Sequence, residues 1–296
     1  MSTIRKLPIG IQDFEDLRTN NYLYIDKTAY LYQLVTMGKP YFLGRPRRFG
    51  KSLFLSTLKS YFLGKKELFE GLAINEWEKD WLEYPVIYID MSVGLITDKS
   101  SLLRRLDVVL SGFENKWGRT TEDTDVATRF EAVIRQACEQ TGRKVVVLVD
   151  EYDKPLLGTM EDININKDIR DTLKGFYGIL KSADAYLRFV FLTGVTKFSK
   201  VSVFSDLNHL VDVSMDKKYA GICGISETEI ITYFQPEITA LSNELGKTYD
   251  ETLAELKKRY DGYHFCRNTE GIYNPFSLLN TFDKKEFKDY WFETGT

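Results

Sequence analysis

Gly50-Lys51-Ser52 is the stretch of this sequence with the plainest chemical use. Glycine, lysine and a hydroxyl residue at a helix start fit a phosphate loop. Backbone N–H groups and the helix dipole favour an anion there, the lysine reaches β- and γ-phosphates, and the hydroxyl ligates Mg²⁺. The usual spacing, G-x-x-x-x-G-K-[ST], asks for glycine where this chain has Arg45, and Gly44 falls one residue early. Arg45, Arg47 and Arg48 add positive charge to the same loop. The expected nucleotide-binding run is therefore Arg45, Arg47, Arg48, Phe49, Gly50, Lys51, Ser52 and Leu53. The competing reading is a solvated basic turn ended by Gly50, with Ser52 as a helix cap.

Asp150-Glu151 weighs against that alternative. Five apolar residues, Val145 to Val149, run straight into the two acids. A carboxylate at the end of a buried neighbouring strand is what a Mg²⁺ shell beside a phosphate loop requires. Asp150 and Ser52 are thus the expected metal residues, and Glu151 the expected general base for an attacking water. Asp153 is read either as a supporting acid or as a turn residue before Pro155. A further apolar run, Arg188 to Leu192, ends in Thr193-Gly194-Val195-Thr196. Thr193 and Thr196 are candidates to face a γ-phosphate and its water, with Lys51 and Glu151 as the other catalytic residues. Threonine is also favoured in strands for its shape alone.

The elements that must hold these residues alternate in type. Short apolar runs at 41–43, 85–90, 144–150, 188–194 and 210–213 read as strands. Between them, apolar spacing at 52–62, 99–117, 125–141 and 166–184 reads as helix. The β-branched run at 145–149 fits a parallel strand covered on both faces. Together they predict an α/β fold, a parallel sheet flanked by helices. After residue 216 the pattern changes. Helices are expected at 226–243 and 248–260, the first opened by Ser226 and Glu229 in capping-box fashion, and another from Pro275 through Phe282. The division expected is a core over 1–216 and a smaller, mostly helical lid or winged-helix-like part over 217–296. The last residues do not read as a finished domain edge.

Composition narrows the field. The chain has 296 residues, 43 % hydrophobic and 28 % charged, with a net charge of −3. That balance gives no global attraction to nucleic acid or membrane. Cys138, Cys223 and Cys266 are widely spaced, and there are only two histidines, which argues against disulfides and a zinc site. The first residues lack the apolar core of a signal peptide, and the cytoplasm is the expected compartment.

With these strings in view, the chain resembles the bacterial AAA-ATPase-like proteins, which often carry a PD-(D/E)XK nuclease-like domain towards the C-terminal end. The resemblance rests on Leu7-Pro8-Ile9-Gly10-Ile11-Gln12-Asp13-Phe14, Tyr24-Ile25-Asp26-Lys27-Thr28, Arg45-Pro46-Arg47-Arg48-Phe49-Gly50-Lys51-Ser52-Leu53, Asp150-Glu151-Tyr152-Asp153-Lys154-Pro155 and Leu192-Thr193-Gly194-Val195. It implies an additional-strand P-loop core, with the Thr193 strand lying between the Asp150 strand and the loop strand. It implies that Arg-Pro-Arg-Arg-Phe is the family's own form of the loop, and that residues 7–28 pack near the adenine. A nuclease domain would lie beyond residue 296, because no carboxylate-and-lysine nuclease core stands within the chain.

Three functions follow as expectations. The first is an ATPase using Mg²⁺ that couples turnover to the C-terminal part, an effector or a protein partner. The second is a nucleotide-gated switch with little turnover. The third is the ATPase module of a nucleic-acid-acting protein, for which Lys284, Lys285 and Lys288 are weak support, being interleaved with acids. A homo-oligomer completing the site with a neighbour's arginine is a further expectation, with Arg129, Arg135, Arg143 and Arg170 as candidates.

Overall fold

The computed structural model describes residues 5–38, 40–120, 122, 124–195, 203, 207, 209–267 and 269–291. Thr196 lies outside the described residues. Five strands form one parallel sheet: β1 (Pro40–Gly44), β2 (Val86–Asp90), β3 (Val145–Asp150), β4 (Leu187–Gly194) and β5 (Val211–Asp212), in the order β2-β3-β4-β1-β5. The Thr193 strand β4 thus separates the acidic strand β3 from the loop strand β1.

β3 explains the sheet's placement. All six of its residues are buried. Val145, Val147 and Val149 face a cluster with the helices Lys99–Trp117, Val126–Thr141 and Ile163–Ser182. Val146 and Leu148 face the opposite cluster, which includes Phe14, Leu34, Phe54 and Leu58. The two-residue period of a strand sends alternate valines to opposite helical layers, so the run has no polar face.

Helix ends are set by local chemistry. The side chain of Asp98 accepts from Ser101 N, Asp125 from Thr128 N, and Asp162 from Asn164 N and Ile165 N. Ser226 and Glu229 form the expected capping box. The helix expected over 226–243 is two helices, Glu227–Tyr233 and Gln235–Leu245. Pro236 opens the second, and its missing N–H and fixed φ suit a first turn but not a helix interior.

The C-terminal part also contains a sheet. β6 (Ile225–Ser226), β7 (Asp261–Tyr263) and β8 (Ile272–Tyr273) pair antiparallel in the order β6-β8-β7, followed by the helix Pro275–Lys284. Its apolar cluster, around Phe234, Leu241, Leu256 and Phe282, receives Leu7, Ile9, Leu23 and Ile25 from the N-terminal segment. Leu7, Ile9, Leu23 and Ile25 therefore pack against the helices that follow residue 226.

Candidate functional site

β2, β3, β4 and β1 run parallel, so Asp90, Asp150, Gly194 and Gly44 stand in a row at one edge of the sheet. Ligands of open parallel sheets bind outside this carboxyl edge. The loop 45–50 leaves β1 there and enters the helix Lys51–Phe62.

The missing glycine has a structural answer. Arg48 takes φ +66° and Gly50 φ +89°, two left-handed positions in a short loop. Alternation of this kind turns successive N–H groups to one side and makes an anion-binding concavity. Lys51 is buried, and its Nζ donates to Arg45 O at 3.0 Å and Pro46 O at 3.1 Å. Burial pushes its ammonium down, opposed first by Glu151 and then by Cys223, Asp150 and Asp153. The lysine is thus tethered across its own loop, near the acids of β3.

Arg45 corrects the expectation that it contacts phosphate. It is 1 % exposed and absent from the cavity walls. Its Nη1 donates to Gly44 O at 3.0 Å and Ser214 O at 2.5 Å, and its Nη2 to Tyr219 O at 3.1 Å. Its guanidinium also lies 3.8 Å from the Phe265 ring centre. Arg45 ties the loop to the segment leading into the C-terminal part. Phe49 does the same with its ring, packed edge-on against Tyr263 at 4.6 Å and Phe265 at 5.7 Å, while its carbonyl accepts from Gly224 N at 2.9 Å. Arg48 stacks over Phe276 at 3.9 Å.

At the end of β3, Glu151 takes φ +49°, a strained conformation for a residue with a Cβ. Its N–H donates to Asp150 Oδ1 at 3.1 Å and Thr193 Oγ1 at 3.3 Å. Thr193 Oγ1 in turn donates to Asp150 Oδ1 at 2.5 Å. Thr193 is fully buried and lines neither cavity, and its hydroxyl braces the acidic turn. Burial pushes the Glu151 carboxyl up, and Lys51 is the strongest group opposing it. Asp153 Oδ2 accepts from Val195 N at 2.9 Å, a bracing role as well.

Two cavities meet here. The larger, about 790 Å³, is lined by Arg47, Arg48, Phe49, Gly50, Lys51, Ser52, Leu53 and Glu151, and by apolar groups of both parts, including Ile11, Leu23, Ile25, Ile225, Phe234 and Leu279. That volume and lining suit a small-molecule ligand with a flat apolar moiety and an anionic end. Residues between 8 and 27, part of the segment 7–28 that the resemblance puts near an adenine, also contribute to this lining. The smaller cavity, about 350 Å³, is lined by Ser52, Asp150 and Glu151 together with Gln12, Asp13, Ser56, Lys59, Tyr88, Asp90 and Ser92. Ser52 and Glu151 line both.

Asp90 and Tyr88 were not singled out from sequence. Asp90 sits beside Asp150 in register and, like it, ends an apolar strand, so the signal was present. Tyr88 is pushed up by burial, then by Asp150 and Asp90. A hydroxyl and a carboxylate, Ser52 and Asp150, on one cavity wall are the hard oxygen donors Mg²⁺ uses with phosphates and water. Among the described residues no three His, Cys, Asp or Glu side chains cluster as a metal site.

An inserted strand between the loop strand and the acidic strand, with lysine and acids at one edge, defines a P-loop NTPase core. Residues 8–204 match the family described as Predicted AAA-ATPase, and the chain belongs to that family. It is also 44 % identical, over 99 % of its length, to a protein from the vnfD 5′ region of Azotobacter chroococcum mcd 1. The chain spans 54 % of that relative's length. Among the described residues no helix is long and apolar enough to cross a membrane.

Proposed function

We propose that this chain binds ATP with Mg²⁺ across the larger cavity and hydrolyses it. The carrying observation is that Lys51, Ser52, Asp150 and Glu151, remote in sequence, meet at one edge of a parallel sheet. In this reading the base lies among Ile11, Leu23, Ile225 and Phe234, and the phosphates along the N–H groups of 47–52. Lys51 leaves the Arg45 and Pro46 carbonyls for phosphate oxygens, exchanging two hydrogen bonds for charge-assisted ones. Ser52 and Asp150 would hold Mg²⁺, which neutralises charge on the phosphates when bound. Glu151, raised by burial, accepts the proton of the attacking water.

The helices after 226 supply part of the base site, so nucleotide occupancy bears directly on how the C-terminal part sits. That supports coupling of nucleotide state to an attached effector or partner. The test is Glu151→Gln. ATP affinity should stay within a few-fold while phosphate release falls by about 10²–10⁴-fold, the usual range for a general base. Normal hydrolysis by this variant would remove the base assignment. Tight binding by the wild type without steady-state release would favour a nucleotide-gated switch.

A further inference from the structure

Asp26, Lys27 and Thr28 stand where the two parts of the chain meet, and they hold both. Asp26 Oδ2 accepts from Ala73 N at 2.7 Å, and Thr28 Oγ1 accepts from Ile74 N at 3.1 Å, which fastens this backbone to the core. Lys27 holds the C-terminal part. Its Nζ donates to Glu229 Oε1 at 2.5 Å, to Glu229 Oε2 at 2.7 Å and to Gly221 O at 2.8 Å, so the ammonium is fully engaged. Glu229 Oε2 also accepts from Ser226 N at 2.9 Å, closing the cap of the helix Glu227–Tyr233. Four residues further on that helix, the Tyr233 hydroxyl accepts from Asp26 N at 3.4 Å. Two residues on one helix face thus meet consecutive residues of the N-terminal segment.

The two acceptors of Lys27, Gly221 and Glu229, bracket a stretch of chain with a particular place. Ile222, Cys223, Gly224 and Ile225 lie between them and line the larger cavity, as does Lys27 itself. Gly221 is close-packed on the helix Thr28–Met37, since a Cβ there would stand 2.6 Å from the Tyr30 hydroxyl oxygen. A ligand lying between the loop 47–52 and this wall is held as firmly as the wall is. Apolar packing by Leu7, Ile9, Leu23 and Ile25 favours closure without fixing one geometry. The Lys27–Glu229 pair does fix one, and with both side chains largely buried it is little screened by salt.

We propose that Lys27 is a positioning residue that clasps the stretch 221–229 against the core, and that release of this clasp sets how fast nucleotide leaves the larger cavity. The clasp rests on the contacts of Lys27, and its effect on nucleotide rests on the ATP site proposed above. Removing either partner leaves the other as an uncompensated, largely buried charge, so the wall opens where the pair stood. Cys223 reports that opening. It is 3 % exposed and lies on the same wall, so a thiol reagent reaches it only when the wall moves.

The test uses the full chain and compares wild type, Lys27→Met, Glu229→Gln and the double variant. Glu229→Gln removes the charge but keeps an oxygen to accept from Ser226 N, so it carries the test should Lys27→Met fail to fold. The first readout is labelling of Cys223 by N-ethylmaleimide without nucleotide, mapped by peptide mass against Cys138 of the core helix Val126–Thr141. The second is stopped-flow dissociation of a fluorescent ATP analogue. Each single variant should raise Cys223 labelling relative to Cys138 by about 10–100-fold, the range for losing a hydrogen-bonded charge. Nucleotide dissociation should rise by about 10-fold or more, and the double variant should go no further, because one contact is removed once. An unchanged labelling ratio overturns the clasp, as does equal acceleration at both cysteines, which marks general destabilisation. A raised ratio with unchanged dissociation overturns the role in nucleotide release. A wild type that binds no nucleotide, with the ratio still raised in the variants, removes the ATP site and that role together and leaves the clasp.

Discussion

Arg45 offers the sharpest separation between a phosphate contact and a structural tie. Replacing it with Met keeps most of the volume and removes the guanidinium. Three hydrogen bonds of 2.5–3.1 Å to the carbonyls of Gly44, Ser214 and Tyr219 are lost, along with stacking at 3.8 Å on Phe265. At about 1–1.5 kcal/mol net per bond and about 1 kcal/mol for the stacking, the loss is about 4–5 kcal/mol. Burial already holds this guanidinium below its usual range, so removing a buried cation returns part of that, about 1–2 kcal/mol. The net destabilisation expected is about 3 kcal/mol. With a urea slope of about 3 kcal/mol/M, the unfolding midpoint should fall by about 1 M. Arg45→Lys should fall nearly as far, because an ammonium cannot reproduce the fork that spans three carbonyls. Equilibrium urea unfolding followed by tryptophan fluorescence measures both. An unchanged midpoint in Arg45→Met, joined to a ten-fold or greater loss of ATP affinity, would refute the structural role and restore Arg45 to the phosphates.

Two further outcomes can be checked alongside it. Thr193→Val removes the hydroxyl that donates to Asp150 Oδ1 and accepts from Glu151 N, so kcat should fall about ten-fold with ATP affinity little changed, the magnitude of losing two positioning hydrogen bonds of about 0.5–1 kcal/mol each; a wild-type rate would mean that the acidic turn holds itself. Glu151, its pKa raised by burial with Lys51 opposing, binds more protons folded than unfolded between its ordinary value of about 4.3 and its raised one. Stability from this group is therefore fully present below the ordinary value and lost as pH rises through the raised one. Wild type should lose stability relative to Glu151→Gln across that window, and the acid limb of kcat should fall in the same place; parallel stability curves would show that Glu151 titrates normally.

Much of the sheet was legible because its strands carry their environment in their composition. Val145–Val149 has no polar position to offer water, so a strand with helices on both faces was the only economical reading. The acidic ends were legible for the same reason, as abrupt polarity after an apolar run. The three loop arginines were not, because they share one type and neighbouring positions. What divides them is backbone direction and the partners that approach from 214–220, 265 and 276, more than 160 residues away. Nor could Thr193 be told from a ligand contact, since a strand-end hydroxyl looks the same whether it faces a cavity or the acid beside it.

The separation of the arginines changes what the loop is. A phosphate loop made mostly of glycine can follow its ligand, since little besides the ligand holds it. Here Arg45 and Phe49 fasten the loop to the segment 214–224 and to β7, and Gly224 N closes on Phe49 O. Gly224 has φ +84°, and a Cβ there would stand 2.2 Å from Ile272 Cγ2, so the approach requires glycine. Any shift of the loop on binding phosphate must then move the small sheet or break these contacts. Several contacts of about 1 kcal/mol each are comparable with the 1–3 kcal/mol by which coupled sites usually influence one another. If ATP binds as proposed, Arg45 and Phe49 would be the physical link by which phosphate occupancy reaches the C-terminal part.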